Sequence, residues 1–233
     1  MESGLESGVQ ALGASQKRMD YIAGNLANLQ APGFKRLQSF THVIDSIRDG
    51  RKTSEMDTQS EIDFSQGSLE HTGNEYDFAI NGDGFFTLET GGGETYTRNG
   101  RFHIDSQGTL LNEDGYAVAW EGSQGRIQPI GEKVTIDSTG AVRQGKNEIG
   151  RLKLADFEER SKLALDGHGY FHAGPRMQPV TATGEVVGGS LERSNAESID
   201  ELVSMIRVQR TFENATNLLR SIDQSYKRLN TPR

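Results

Sequence analysis

The chain has 233 residues, enough for one large or two modest domains, yet only 33% of them are hydrophobic and the mean hydropathy is −0.62. A net charge of −8 and a pI near 5.2 give no electrostatic support for binding nucleic acid. Disulfides and thiol chemistry are excluded because there is no cysteine. The longest apolar runs fall far short of the ~20 residues of a membrane span, so no membrane insertion is expected.

The chain opens Met-Glu-Ser-Gly, without the basic region and apolar run of a cleavable secretory signal. Leu5, Val9, Leu12, Gln16, Met19, Ala23 and Leu26 then recur at alternating steps of four and three. That spacing is a heptad seam, the pattern that keeps one apolar stripe against another helix. Gln16 is its polar member, fitting either a register-setting or a solvated position, and Ile22 and Leu29 widen the stripe. The pattern stops at Ala31-Pro32-Gly33, where proline and glycine break a helix, so the first element is expected over residues 1–33.

Residues 34–69 follow as an extended connector. Phe40, Val43, Ile44 and Ile47 fit a short helix or an extended run, and Arg48 to Glu61 is polar with nothing to bury. Such a stretch is expected to be ordered only by contact with neighbours.

From residue 70 to 190 short alternating runs sit between turn signals. Asn81-Gly82-Asp83-Gly84, Gly91-Gly92-Gly93 and Asn99-Gly100 separate apolar runs, and Asn-Gly is the strongest short hairpin signal. Further breaks at Gly108, Gly115, Gly122, Gly125, Gly140 and Gly145 predict an all-β sandwich or barrel-like domain.

The last element, 191–233, carries Val208, Phe212, Ala215, Leu219, Ile222, Tyr226 and Leu229 in the same four-three alternation. Ser198-Ile199-Asp200-Glu201 reads as a capping box at its start, and Thr231-Pro232 as its stop. The two terminal helices therefore predict an α+β fold in which discontinuous N- and C-terminal helices pair as an antiparallel coiled coil around an inserted all-β domain. One narrow seam does not offset the backbone entropy of two long helices, so further burial against other copies of the chain is expected.

The sequence offers no catalytic residue. Gly91-Gly92-Gly93 lacks the order and following helix of a phosphate loop, and the run from Asp77 to Gly84 lacks the alternating acidic ligands of a calcium loop. His168 and His172 stand in a glycine-flanked segment without an accompanying ligand set. No nucleophile elbow or distinguishable carboxylate dyad occurs, so no cofactor, metal or enzyme activity is expected.

Three segments carry a resemblance. Asn25-Leu26-Ala27-Asn28-Leu29-Gln30-Ala31-Pro32-Gly33-Phe34-Lys35 resembles the N-terminal signature of the bacterial flagellar basal-body rod and hook family, with Ala31 where threonine is common. Gly82-Asp83-Gly84-Phe85-Phe86 and Tyr96-Thr97-Arg98-Asn99-Gly100-Arg101-Phe102 resemble its β-domain signature. Ser194-Asn195, Glu201, Met205-Ile206, Gln209-Arg210 and Phe212-Glu213 fall at the spacing of its C-terminal signature, with mild departures at Ala196 and Leu202. Short length and the run Asp63 to Leu69 most resemble the proximal rod members, with the distal rod members close behind.

The resemblance implies a structural, axial drive-shaft component of the motility organelle, located in the periplasmic rod of the basal body. It implies export by the flagellar type III apparatus without a cleavable signal, and helical assembly around the export channel. Its partners would be copies of itself and neighbouring rod proteins. The residues expected at assembly contacts are Leu5, Val9, Leu12, Met19, Ile22, Asn25, Leu26, Asn28, Pro32, Gly33, Phe34 and Lys35 from the first signature and seam. Ile206, Val208, Gln209, Arg210, Phe212, Glu213, Leu219, Ile222, Tyr226 and Leu229 are expected from the last. Arg210 and Glu213 fit an inter-subunit pair or a solvated i,i+3 pair equally well. The competing class is a non-polymerising, coiled-coil-stalked β-domain binding module at the cell surface.

Overall fold

The computed structural model describes residues 2–48, 51–122 and 125–229, with side chains described over 8–42, 57–122, 125–225 and at Lys227. It is an α+β structure of two compact units, one made of residues 1–28, 36–63 and 196–233 and the other of 29–35 and 64–195.

In the first unit, α1 (Glu2–Ala27) and α2 (Ser198–Leu229) lie along one another. Gly8 meets Leu219 at one end and Asn25 meets Glu201 at the other, so the helices run antiparallel. A Cβ on Gly8 would stand 2.6 Å from Leu219 Cδ2, so a side chain here would require the end of Leu219 to shift. Val208, Phe212, Ala215, Leu219 and Ile222 lie half-buried on one face of α2. The side chains of Leu5, Tyr226 and Leu229, and the whole of Thr231-Pro232, lie outside the described residues.

On α1 the buried stripe departs from the expected seam. Gly8, Ser15, Ile22 and Asn25 are buried, Leu12, Met19 and Leu26 lie half-buried beside them, and Gln16 and Ala23 are exposed. Val9 is 58% exposed. The reason is a second neighbour: α1 packs on α2 and also on a β-hairpin, so its burial centres between two partners rather than on a seam facing one helix. Gln16 instead donates to Asp20 one turn on, at 3.0 Å.

That hairpin occupies the stretch read as a connector. Strands β1 (Leu37–Arg48) and β2 (Arg51–Ile62) pair antiparallel in unbroken register from Leu37↔Ile62 to Arg48↔Arg51. Its contact with α1 is polar: Arg18 Nη2 donates to Thr41 Oγ1 at 2.7 Å, and Thr41 Oγ1 lies 3.2 Å from that of buried Thr58. Phe40, Val43, Ile44 and Ile47 fitted an extended run on β1 but follow no strict alternation, and β2 is almost wholly polar, which is why the paired strands were not legible.

Helix α1 also ends earlier than the proline signal suggested, at Ala27. Asn28 folds its amide onto the Gly24 carbonyl at 2.9 Å and so satisfies one of the acceptors a helix end leaves open.

The second unit is all β. Its largest sheet has nine strands and is built around the hairpin Phe85–Thr90 and Gly93–Thr97, joined through Gly91-Gly92 as expected. Successive side chains of a strand point to opposite faces, and here both faces are covered. Phe86 and Leu88 enter a core with Phe78, Phe102, Leu110 and Val142. Phe85 joins Phe64, Phe157 and Phe171 in a separate aromatic group.

The two Asn-Gly pairs do not close hairpins. Asn81-Gly82 leaves a strand, Phe78–Asn81, that pairs with Glu185–Gly188, and Asn99-Gly100 leads to Phe102–Ile104, which pairs with Leu110–Asn112. Gly100 is required for a different reason. A Cβ there would sit 1.6 Å from the Phe78 carbonyl oxygen, the residue whose N–H bonds the Gly100 carbonyl at 2.9 Å.

Candidate functional site

The residues carrying the three signatures converge on two buried polar junctions, one in each unit. In the β unit the centre is Glu192, whose side chain is fully buried. Lys35 Nζ donates to its Oε1 at 2.7 Å, as does the Gly67 N–H at 2.9 Å, and Arg98 Nη1 donates to Oε2 at 3.1 Å. Two buried cations against one carboxylate leave a positive charge that carbonyl oxygens must answer. Lys35 Nζ also donates to Ser65 O at 2.8 Å, and Arg98 Nη2 to Gly82 O at 2.8 Å. The Arg98 guanidinium lies 5.3 Å from the centre of the Phe85 ring, a cation–π distance. Burial lowers the Arg98 pKa, the Glu192 charge and hydrogen bond offset this only in part, and a guanidinium stays charged throughout.

Backbone contacts hold the same three segments. The Gly33 N–H donates to Glu192 O at 2.7 Å, and the Asn195 N–H to Phe34 O at 3.4 Å. Asn195 Nδ2 reaches Ser65 O at 3.0 Å. Gly33 has φ +68°, and a Cβ on it would meet the Arg98 carbonyl carbon at 2.2 Å, so backbone sign and space both demand glycine. In the β-domain signature, Asp83 accepts from Arg160 Nη1 at 2.7 Å. That bond holds the Asp83 carboxyl below its ordinary pKa, against the opposing effect of burial.

In the helical unit, Asn25 is 1% exposed and makes both backbone bonds of Leu37, donating to its carbonyl at 2.9 Å and accepting its N–H at 2.9 Å. Asn25 Nδ2 also lies 3.2 Å from Glu201 Oε1, which Arg36 Nε approaches to 2.6 Å. Glu201 was expected to close a capping box at the start of α2. It turns inward to Arg36 and Asn25 instead, because an ion pair in a buried site outweighs one backbone N–H at an exposed helix start.

The remaining expected contact residues stay on the surface. Ile206 is 52% exposed, and Gln209, Arg210 and Glu213 are exposed, with Glu213 accepting from Gln209 rather than Arg210. Pro32 and Phe34 are half-buried. Residue patterns missed Glu192 and Arg36 as functional and marked Arg98 only as part of the β-domain signature, because a buried charge is recognised by its partner and not by its spacing. His172 is an exposed partner of Asp166 at 2.9 Å. Among the described residues, no group of three His, Asp or Glu side chains is placed to hold a metal.

Residues 79–144 match the model of the flagellar hook protein FlgE/F/G D1 domain, and residues 187–231 that of the flagellar basal body rod FlgEFG protein C-terminal region. The chain is 33% identical to the flagellar basal-body rod protein FlgF of Caulobacter vibrioides, over 94% of this chain and 93% of that one. The chain belongs to the flagellar basal-body rod protein family. FlgF of Rhizobium meliloti is 31% identical over 97% of this chain and 95% of that protein. FlgG of Bacillus subtilis, also a basal-body rod protein, is 29% identical over 97% of each chain. The matched C-terminal region spans Glu192, Asn195 and Glu201 and the matched D1 region spans Arg98, whereas Asn25, Lys35 and Arg36 lie outside both. The family role is structural, that of a rod subunit in the basal body.

Proposed function

We propose that this rod subunit assembles helically through its terminal segments, α1 and α2 lining the export channel as an antiparallel coiled coil. The observation that carries this reading is the composition of the helical unit: residues from both chain ends form one compact body, and the β unit is inserted between them. A tube wall built this way ties both ends of each subunit into the same layer. Val9, Ile206, Leu218 and the charged Arg210 and Glu213 face outward from this body and supply contacts to neighbouring copies.

The same reading has the chain leave the cell through the flagellar type III apparatus and join rod proteins above and below it. Within the family, the short length and the run Asp63 to Leu69 favour the proximal rod position. The stalked binding module gives way to family membership.

The test is removal of the chain from its host. Loss of swimming and basal bodies lacking hooks in electron micrographs are expected. Normal hooks on motile cells would overturn the reading.

A further inference from the structure

Two strand edges in the β unit run side by side and then part. Val134–Ile136 is the outer strand of a three-stranded sheet and pairs on one side only, with Ala141–Gln144. There the Gly145 N–H donates to Lys133 O at 3.3 Å and the Asp137 N–H to Ala141 O at 3.0 Å. Hydrogen-bonded positions in such a ladder alternate, so Thr135 turns its backbone groups to the partner strand, and Val134 and Ile136 turn theirs away. Facing them is Glu185–Gly188, which pairs with Phe78–Asn81. Its Val186 N–H points out of that pairing and donates to Ser138 O at 3.0 Å. Gly188, two residues on, shares that outward direction. Continued pairing would join Gly188 to Ile136, yet none of the described hydrogen bonds links them.

The parting is built in. Gly189 has φ +67°, and its N–H and that of Ser190 both go to Asp77 O, at 2.7 and 3.3 Å. The chain is thereby steered away, into pairing of Ser190–Glu192 with Leu69–His71. Glu75 Oε2 takes the Val134 N–H at 3.0 Å and so occupies one donor of the opposite edge. Between the edges lies a cavity of about 280 Å³, near the ~300 Å³ lower bound of ligand clefts. Phe78, Val134 and Ile136 supply apolar lining, and His71, Glu75 and Lys133 supply polar groups of both signs.

The open main-chain groups identify the ligand. Ile136 offers its N–H and C=O and Val134 its C=O on one wall, and Gly188 offers its N–H and C=O on the other. Donors and acceptors alternating along a strand edge are matched by another extended main chain. A free anion or cation is not selected, because Lys133 and Glu75 stand in the same lining. The edges meet at Ser138 and Val186 and open toward Val134, so the cleft takes a short segment and not a strand running through. We propose that it binds an extended, uncharged segment of a separate polypeptide, which adds as a strand to Val134–Ile136. The segment enters about two residues deep at ~3.3 Å per residue. This inference stands on the geometry of the β unit and goes beyond the rod reading without depending on it.

The probe is acetyl-Val-Ala-Val-amide, whose blocked ends leave only backbone and small apolar side chains to bind. In the isotopically labelled full-length chain it should shift the amide resonances of Ile136 and Gly188. The shifts should saturate at about millimolar peptide, because so small a contact is weak. The same peptide N-methylated on every amide lacks the donors of a strand and should shift neither. Gly188 has no positive φ to strain a side chain, and a Cβ there would meet Ile136 Cγ2 at 2.8 Å. Gly188→Val therefore narrows the cleft and should weaken binding about tenfold or more. The comparison of the two peptides needs no variant, so it decides the matter however Gly188→Val folds.

Resonances unmoved by either peptide, or moved equally by both, would overturn the proposal. So would equal shifts from inorganic phosphate. Concentration-dependent self-association that is lost in Gly188→Val would overturn it too, by assigning the cleft to a second copy. Each of these outcomes leaves the rod reading standing, since the deletion experiment judges that separately.

Discussion

Lys35 and Glu192 stand 157 positions apart in sequence, yet their side chains meet at 2.7 Å with almost no exposure to solvent. The pair is one arm of a three-way junction, because Arg98 holds the other carboxylate oxygen. Removing the carboxylate charge leaves two cations buried against neutral partners. Glu192→Gln is therefore expected to destabilise the β unit by about 3–5 kcal/mol, the cost of breaking a buried pair. Lys35→Met leaves a balanced Arg98–Glu192 pair and should cost less, about 1–3 kcal/mol, because Glu192 Oε1 and the Ser65 carbonyl each lose one donor and keep another, from Gly67 and Asn195. Urea unfolding followed by tyrosine fluorescence reads both, and equal losses would count against the charge argument.

Gly33 is the sharpest backbone constraint in the junction. Gly33→Ala requires both a left-handed conformation that alanine resists and a shift of the Arg98 backbone. A loss of at least ~2 kcal/mol is expected. Gly8→Ala is the contrast, since the atom in its way is the mobile end of Leu219 and alanine favours the helix by ~1 kcal/mol. A near-neutral result is expected there by thermal melting, and a large loss would show that Leu219 has nowhere to go.

Asn25 tests the helical junction through chemistry rather than size. Asn25→Asp keeps the shape but removes the donor to the Leu37 carbonyl and sets a second carboxylate beside Glu201. It should destabilise more than Asn25→Ser, by roughly 1–3 kcal/mol for the buried unmatched groups. Loss of helical circular dichroism with the β signal retained would place the effect in the helical unit.

The β unit should also fail at high pH. Burial, reinforced by the Glu94 charge, pushes Tyr96 up to about 12, and burial with the Asp114 hydrogen bond raises Tyr170 as well. A phenol whose folded pKa lies above its unfolded value of ~10 stabilises fully below that value. The contribution is then lost as pH rises from the unfolded toward the folded pKa. The melting temperature should accordingly fall between pH ~10 and ~12, and Tyr96→Phe should flatten that fall. An unchanged slope in the variant would assign the alkaline loss to other groups.

Much of this protein was legible in one dimension. Heptad spacing on both terminal segments marked helices that the structure forms, glycine punctuation marked the β unit, and the three signatures marked the family. These are local properties, set by backbone preference and by which side chains share a face. The tertiary structure decided what lies between distant segments. It turned the stripe of α1 from Val9 and Gln16 to Gly8 and Ser15, because the β1–β2 hairpin is a second neighbour that no period in α1 can announce. The polar hairpin itself escaped notice, although Asp49-Gly50 stands between its strands as a turn signal. Glu192 drew no reading at the start of the last segment, and Glu201 read as a cap residue and a member of the C-terminal signature. Burial made them centres of charge, because a carboxylate removed from water is tolerable only where cations and N–H groups from elsewhere in the chain arrive to meet it.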